Sequence, residues 1–416
     1  MDEIQLSVVA TSRNDNHGGQ LTGRMQHFAD GFIAQCKRHG LRAELILVDW
    51  NPPADRVPLL EELGWPAEGG PCEVRVITVA PELHAQLAHA DKIPLFQMIA
   101  KNIGIRRARG RFVLATNIDI LFSDRAIRYM RDRLQPGRLY RTDRVDIPAA
   151  LPQSADFADV LSFCDTHGFR IHGHACTVVR SGERWRRLDL LKVALPPRLA
   201  YAIHLAEQLC SLAMRAFAKP EKAVARLALG DGKSDWPVEM TYGRRNALAL
   251  VLAFFHHLPA RLARVARLTA SKYLPTLYKR MLRPWPFTNA CGDFTLLARE
   301  DWFRLRGYAE WPIFSWHLDS LLIHQALAAG LRETHLGGRA PVFHIEHGKG
   351  YTPEGAGELF LRLQGQGIPF LSDEDFTKLD AKIARGAREG TPVEFNPGSW
   401  GLADLALPEA SPWKNS

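Results

Sequence analysis

Residues 100–119 read AKNIGIRRARGRFVLATNID. Lys101, Asn102 and Gly104 fall on a helix-forming stretch that runs into a turn at Gly110. An apolar run from Phe112 to Ala115 follows and ends in Asn117-Ile118-Asp119. A buried strand with a carboxylate at its C-terminal end puts a metal or phosphate ligand at the edge of an α/β sheet, where open sheets of this class bind nucleotides.

Working outward, residues 4–10 (IQLSVVA), 43–49 (AELILVD), 74–79 (VRVITV) and 111–116 (RFVLAT) are short runs rich in β-branched residues. Helical patterns over residues 21–39 and 92–108 lie between them. The alternation predicts parallel strands joined by crossover helices, hence an open, mostly parallel α/β sheet flanked by helices. Ser123-Asp124 offers an N-cap for a helix over 125–134, and residues 169–179 read as a further strand. From 184 to 283 the pattern becomes helical, with Ile203, Leu205, Leu209, Leu212 and Phe217 at helix spacing. Over 258–282, Arg261, Arg264 and Arg267 stand three apart, offset from Leu262, Val265 and Leu268, which is the pattern of a basic amphipathic helix. Strand-like character resumes at Asn289 and ends near Glu346. Residues 352–416 read as a less regular tail with short helices at 359–363 and 376–387.

The chain has 416 residues, 46% of them hydrophobic, enough to bury one large core or two ordinary ones. Its six cysteines include no CxxC pair, which favours free thiols in a reducing compartment over disulfides or a zinc site. The opening MDEIQLSVVATS lacks the basic and then apolar character of a secretion leader, and the longest apolar run, 247–255, is too short to span a bilayer. The expectation is a cytoplasmic protein, peripheral at the inner face of the membrane. Net charge is +8, but residues 184–283 hold 19 Lys and Arg against 6 Asp and Glu, leaving the rest of the chain at −5. That segment suits an anionic surface such as lipid headgroups. Nucleic acid is disfavoured, since interleaved aromatics and a recognisable module are both missing. GxxxxGK[ST] and GxSxG do not occur, and His344-Ile345-Glu346-His347 is not HExxH, which removes P-loop, hydrolase and zinc-protease readings. His172-Gly173-His174 lacks partners at ligand spacing and reads as strand or loop.

The order of parts resembles the GT-A glycosyltransferases, especially the family-2-like ones. There a helix reading A-x-N-x-G-x-x-x-A-x-G precedes the strand bearing D-x-D; Ala100, Asn102, Gly104, Ala108 and Gly110 fill that pattern, and Asn117 and Asp119 fall where the two aspartates stand. A later block looks like the acceptor-side half: Gly292-Asp293, a strand with Arg299-x-x-Trp302, Gly307-Tyr308-x-Glu310, and Trp316-x-Leu318-Asp319 at a helix start. The resemblance implies a GT-A-like (Rossmann-like) fold with a large helical insert. Its parts would be a nucleotide-sugar-binding half over 1–183, the basic insert over 184–285, an acceptor-side half over 286–350 and a tail over 351–416.

It further implies an inverting hexosyltransferase that moves a sugar from a nucleotide-diphosphate donor, UDP-linked, to a glycan or lipid-linked acceptor, with Mn²⁺ or Mg²⁺. Donor contacts would come from Ser12, Asn14, Asp49, Lys101, Asn102 and Asn117, and acceptor contacts from Asp293 and Trp316. Asp119 would be the charged metal ligand, with a histidine of the late segment, His344 or His347, beside it; an imidazole there suits Mn²⁺. Asn117 would be a neutral metal ligand or a sugar contact. Inversion needs a carboxylate to take the acceptor hydroxyl proton, and Asp319 stands in the place of that base. The alternative is a catalytically weak nucleotide-sugar-binding protein that docks to a membrane or partner through its basic helices, a reading fed by Asn117 and Leu318 at usually acidic positions.

Overall fold

The computed structural model describes residues 3–152, 154, 156–174, 176–187, 286–336, 340–347 and 356–413. They fall into two compact units: Met1–His174 with Pro286–Ser416, and Ala175–Trp285. In the first unit, β1 (Leu6–Ser12), α1 (Leu21–His39), β2 (Ala43–Trp50), α2 (Leu59–Glu62) and β3 (Cys72–Val79) come in order. They are followed by α3 (Pro81–His84), α4 (Gln97–Arg107), β4 (Phe112–Ala115), β5 (Ile120–Phe122) and α5 (Asp124–Asp132). Next come β6 (Arg138–Arg141), β7 (Arg144–Ile147), α6 (Phe157–His167) and β8 (Arg170–His172). The described part of the second unit is an antiparallel hairpin of β9 (Thr177–Ser181) and β10 (Arg184–Arg187). The chain re-enters the first unit with β11 (Thr295–Ala298), α7 (Arg299–Leu305), α8 (Leu318–Ala328), β12 (Arg332–His335) and β13 (Val342–Ile345). It closes with α9 (Ala356–Gly365), α10 (Asp373–Glu389) and β14 (Glu409–Ala410).

The large sheet runs β12-β6-β11-β4-β1-β2-β3-β14. β4, β1, β2 and β3 are mutually parallel, and β11 enters antiparallel between β4 and β6. Every residue of β1 and β2 is buried, as expected of parallel strands covered on both faces. One face packs Val8, Ala10 and Leu45 on Met25, Phe28 and Phe32 of α1 and Ile127 and Met130 of α5. The other packs Val9, Ile46 and Val113 on α4, Trp302 of α7 and Leu321 and Leu322 of α8. Burying each such side chain is worth about 1.5–3 kcal/mol. In the first unit a smaller sheet orders β5, β13, β7 and β8, with β13 parallel to β7 and antiparallel to β5.

The patterned glycines have steric causes. A Cβ at Gly104 would come within 2.4 Å of Val9 Cγ1, so glycine there lets α4 lie close on the sheet; one at Gly110 would meet the Ser7 nitrogen at 2.6 Å. Ser7 Oγ donates to buried Glu44 and accepts from the Gly110 N–H, tying the turn to β1 and β2.

Several boundaries differ from the pattern reading. α4 begins at Gln97 rather than near 92, because Pro94 has no N–H and biases Ile93 toward extended backbone. The expected strand over 169–179 is broken: β8 stops at His172 and β9 starts at Thr177. Arg299-x-x-Trp302 lies on α7 and not on a strand, since the chain turns at Ala298 and acidic Glu300 and Asp301 suit a helix start. From 356 onward the chain contributes structure to the first unit. α10 packs along α8, Trp400 is buried, and β14 pairs with β3. The basic helix expected over 258–282 lies outside the described residues, as does nearly all of the 184–285 segment. Among the described residues no helix is long and apolar enough to cross a membrane.

Candidate metal and nucleotide site

β4 belongs to the large sheet and β5 to the small one, so residues 116–119 cross from one to the other. Thr116 N–H donates to Val9 and its Oγ1 to the Asp293 carbonyl, which anchors the crossing on the large sheet. The Ile345 N–H donates to the Asp119 carbonyl and anchors it on the small one. This register delivers His344 and His347 to the Asp119 carboxylate.

Asp119 Oδ2 accepts from Arg24 Nη1 at 2.9 Å, with His347 Nε2 at 3.3 Å and His344 Nε2 at 3.8 Å. Asp119 Oδ1 and His347 Nδ1 are buried with no hydrogen-bond partner among the described residues. Burial pushes the Asp119 carboxyl up, but His347, His344 and Arg24 overcome it and hold the group well below the usual carboxylate range. Asp119, His344 and His347 offer three ligand atoms within 4.8 Å of one another.

Behind them Asp146, fully buried on β7, meets Arg144 Nε and Arg170 Nη1 at 2.8 Å, His172 Nε2 at 3.1 Å and His344 Nδ1 at 3.2 Å. A carboxylate on Nδ1 fixes the imidazole so that Nε2 faces Asp119, an arrangement common behind metal-bound histidines. Burial and Arg144 lower the His344 pKa, yet Asp146 and Asp119 raise it above its ordinary value overall. Asp146, His344 and Glu346 form a second set of ligand-bearing groups, but there the two arginines already take the carboxylate. The Asp119 set keeps a free oxygen and an oriented imidazole, and therefore fits a divalent cation.

Both polar atoms of the Asn117 side chain are engaged. Its Oδ1 accepts from Gln97 Nε2 and Lys101 Nζ, both at 2.8 Å, and its Nδ2 donates to Asp293 Oδ1 at 2.5 Å. An ammonium only donates, so the amide orientation is determined. Asn117 thus bridges Lys101 to Asp293, and neither of its polar atoms is left for a cation. Asp293 Oδ2 accepts from Arg144 Nη1 at 2.7 Å, and Lys101 Nζ also donates to the Gly292 carbonyl at 2.7 Å. Burial pushes the Lys101 pKa down to about 8, against the charges of Asp293, Asp319, Cys291 and Asp119.

Asp319 stands in the first turn of α8, half-buried, with Oδ1 accepting from the Ser320 N–H at 2.8 Å. A Cβ at Gly292 would come within 3.0 Å of its Oδ2, so the carboxylate borders the Lys101–Gly292 contact.

The other sequence candidates are placed differently. Ser12 ends β1, paired in register with Asp49 of β2. Asn14 Nδ2 donates to the Val57 carbonyl and to Glu62. Asp49 Oδ2 accepts from the Leu59 N–H while Oδ1 is buried without a partner among the described residues, and burial raises its pKa. Asn102 is a staple: it donates to the Tyr308 carbonyl and Glu310, and accepts from the Tyr308 N–H. Trp316 packs on Phe360 and His317.

Arg24, Asp146, Arg144 and Arg170 border the site and escaped the sequence reading, while His172, read there as strand or loop without ligand partners, ends strand β8 with its Nε2 against Asp146. The available signal was a period-two repeat on small-sheet strands, Arg144-x-Asp146, Arg170-x-His172 and His344-x-Glu346, which puts each pair on one face.

No protein-family model matches this chain, and no curated protein does. Among solved structures it is similar to the crystal structure of GalNAc-T7 with UDP, GalNAc and Mn²⁺, at 11% identity and a TM-score of 0.35, over 93% of this chain. The chain spans 58% of the length of that structure.

Proposed function

We propose that this chain is a GT-A-like glycosyltransferase that takes a nucleotide-diphosphate sugar, UDP-linked, and transfers the sugar with inversion to a hydroxyl of a glycan or lipid-linked acceptor. The observation that carries the proposal is the Asp119–His344–His347 cluster at the crossing between the sheets, with an unused carboxylate oxygen and Asp146 orienting His344. These three residues would hold the cation; two imidazoles beside one carboxylate suit Mn²⁺ better than Mg²⁺. When bound, the cation neutralises charge on the departing diphosphate.

The remaining work falls to the chain. Lys101 adds a buried positive charge between this cluster and Asp319. Asp319, free of any ion pair at 4.0 Å among the described residues, accepts the acceptor hydroxyl proton as the new glycosidic bond forms and the bond to the diphosphate breaks. Asn117 keeps Lys101 and Asp293 in register. A second reading, nucleotide-sugar binding with little turnover, draws on the guanidinium of Arg24 at the same carboxylate.

A panel of nucleotide sugars, assayed for nucleoside diphosphate release and transfer with and without Mn²⁺, tests both. Expected is Mn²⁺-dependent turnover, with Asp319→Asn lowering kcat by about 10²–10⁴-fold at near-unchanged donor affinity. Binding without turnover selects the second reading. Failure to bind any nucleotide sugar in Mn²⁺ overturns both. A lower Tm and lost donor binding in Asp319→Asn would instead give that residue a helix-start role.

A further inference from the structure

The carboxylate oxygen that faces both imidazoles is already gripped. Arg24 Nη1 lies 2.9 Å from Asp119 Oδ2, the same oxygen to which His347 and His344 turn their Nε2 atoms. Arg24 is only 4% exposed, and burial lowers its pKa against the pull of Asp119; a guanidinium nonetheless carries its charge in proteins. A divalent cation entering between these imidazoles meets a fixed positive charge on the ligand it needs, with little water to screen the repulsion.

Arg24 is incompletely satisfied for a buried guanidinium. Its Nε has no hydrogen-bond partner among the described residues, and Nη2 donates to the carbonyls of His17 and Gly19 in the loop between β1 and α1. That loop is wound through left-handed backbone at Asn16, Gly18, Gly19 and Gln20. Gly18 passes so close that a Cβ there would sit 2.7 Å from His347 Nδ1 and 2.9 Å from Arg24 Nη2. The guanidinium therefore joins three things: the metal-ligand carboxylate, the loop over it, and the start of α1.

Resting on the metal reading above, we propose that Arg24 is a displaceable counter-ion of Asp119. It neutralises the carboxylate when no cation is bound, competes with the cation for it, and on displacement lets go of the 16–20 loop. Cation affinity is then lower than the ligand set alone would give, and cation binding and loop release are one equilibrium.

Mn²⁺ alone, titrated into the full-length protein and followed by the electron paramagnetic resonance of the free ion, tests this. Arg24→Gln keeps a donor for Asp119 and removes the charge, and is expected to bind Mn²⁺ about 5–150-fold more tightly than wild type. Asp119→Asn is expected to lose the binding. Equal or weaker affinity in Arg24→Gln, with binding still dependent on Asp119, overturns the competition and leaves the metal site standing. Binding absent from both proteins, or indifferent to Asp119→Asn, overturns the metal reading and the competition together. Should Arg24→Gln not fold, hydrogen exchange of the wild-type 15–24 segment decides. Faster exchange with saturating Mn²⁺ supports displacement, and unchanged or slower exchange overturns it.

Discussion

Two residues apart on one strand exit, Asn117 and Asp119 live in opposite polar economies. Both Asn117 side-chain atoms are spent on neighbours, three hydrogen bonds in all, to Gln97, Lys101 and Asp293. Asp119 keeps one buried oxygen without a partner among the described residues and shares the other among a guanidinium and two imidazoles. A satisfied buried polar group rigidifies, whereas an unsatisfied one is costly unless something arrives to meet it. The motif's two polar positions, alike in the sequence, therefore divide into a brace and a carboxylate with an open acceptor.

The largest expected effect breaks the carboxylate half. Asp119→Asn leaves Arg24 buried against a neutral amide, and removing one partner of such a pair costs about 3–5 kcal/mol. Urea denaturation in the presence of a chelator checks this; a change below about 1 kcal/mol would mean the pair contributes no more than an exposed one.

Next is the brace. Asn117→Asp sets a carboxylate oxygen where Nδ2 now donates to Asp293, 2.5 Å away. Losing a hydrogen bond to a charged group costs about 1.5–3 kcal/mol before any repulsion is added. The variant is expected to be less stable and to bind Mn²⁺ no better than wild type. Tighter Mn²⁺ binding would erase the distinction, because it would require residue 117 to turn toward the ion.

The smallest effect sharpens the boundary between the halves, where Lys101 stands. Its folded-state pKa of about 8 lies below the ordinary 10.5. Between those values the unfolded chain still holds the proton that the folded chain has released, so this residue's contribution makes stability rise with pH across that window. Nucleoside diphosphate affinity should move the other way, weakening above about pH 8 by at most about tenfold per pH unit as the positive charge is lost. Calorimetric titration of UDP from pH 6.5 to 9.5 measures it, and the same dependence persisting in Lys101→Met would assign the titration to another group.

Much of the large sheet was legible because its central strands are buried on both faces and are therefore mostly apolar, as LSVVATS and AELILVDW are apart from Ser7, Thr11, Ser12, Glu44 and Asp49. Helix α1 was legible over its whole length, 21–39, where the apolar stripe and the Gly40 stop coincide. The resemblance set one late histidine, His344 or His347, beside Asp119; in the fold both imidazoles lie against its carboxylate. What stayed hidden depends on pairing across distance. Arg24 reads as one more polar residue of an amphipathic helix until α1 is laid beside the strand exit. Arg144, Asp146 and Arg170 look like an exposed polar edge until β7, β8 and β13 are set side by side. The role of Asn117 was opaque for the same reason: a side chain's free valences are counted only once its neighbours are known.

β11 lies between β4 and β6, and Asp293 just ahead of it is hydrogen-bonded to Thr116, 177 residues earlier. During synthesis at about 5–20 residues per second, β4 waits roughly 10–35 s for its second neighbour. Through that interval one whole side of Phe112–Ala115 is an open apolar edge, the kind that recruits another strand when no proper one is at hand. The nascent chain must therefore carry the strand exit that ends in Asp119 unfinished through the translation of everything between, and its yield in a cell should depend on the pace of the ribosome and on chaperones more than its finished stability would suggest.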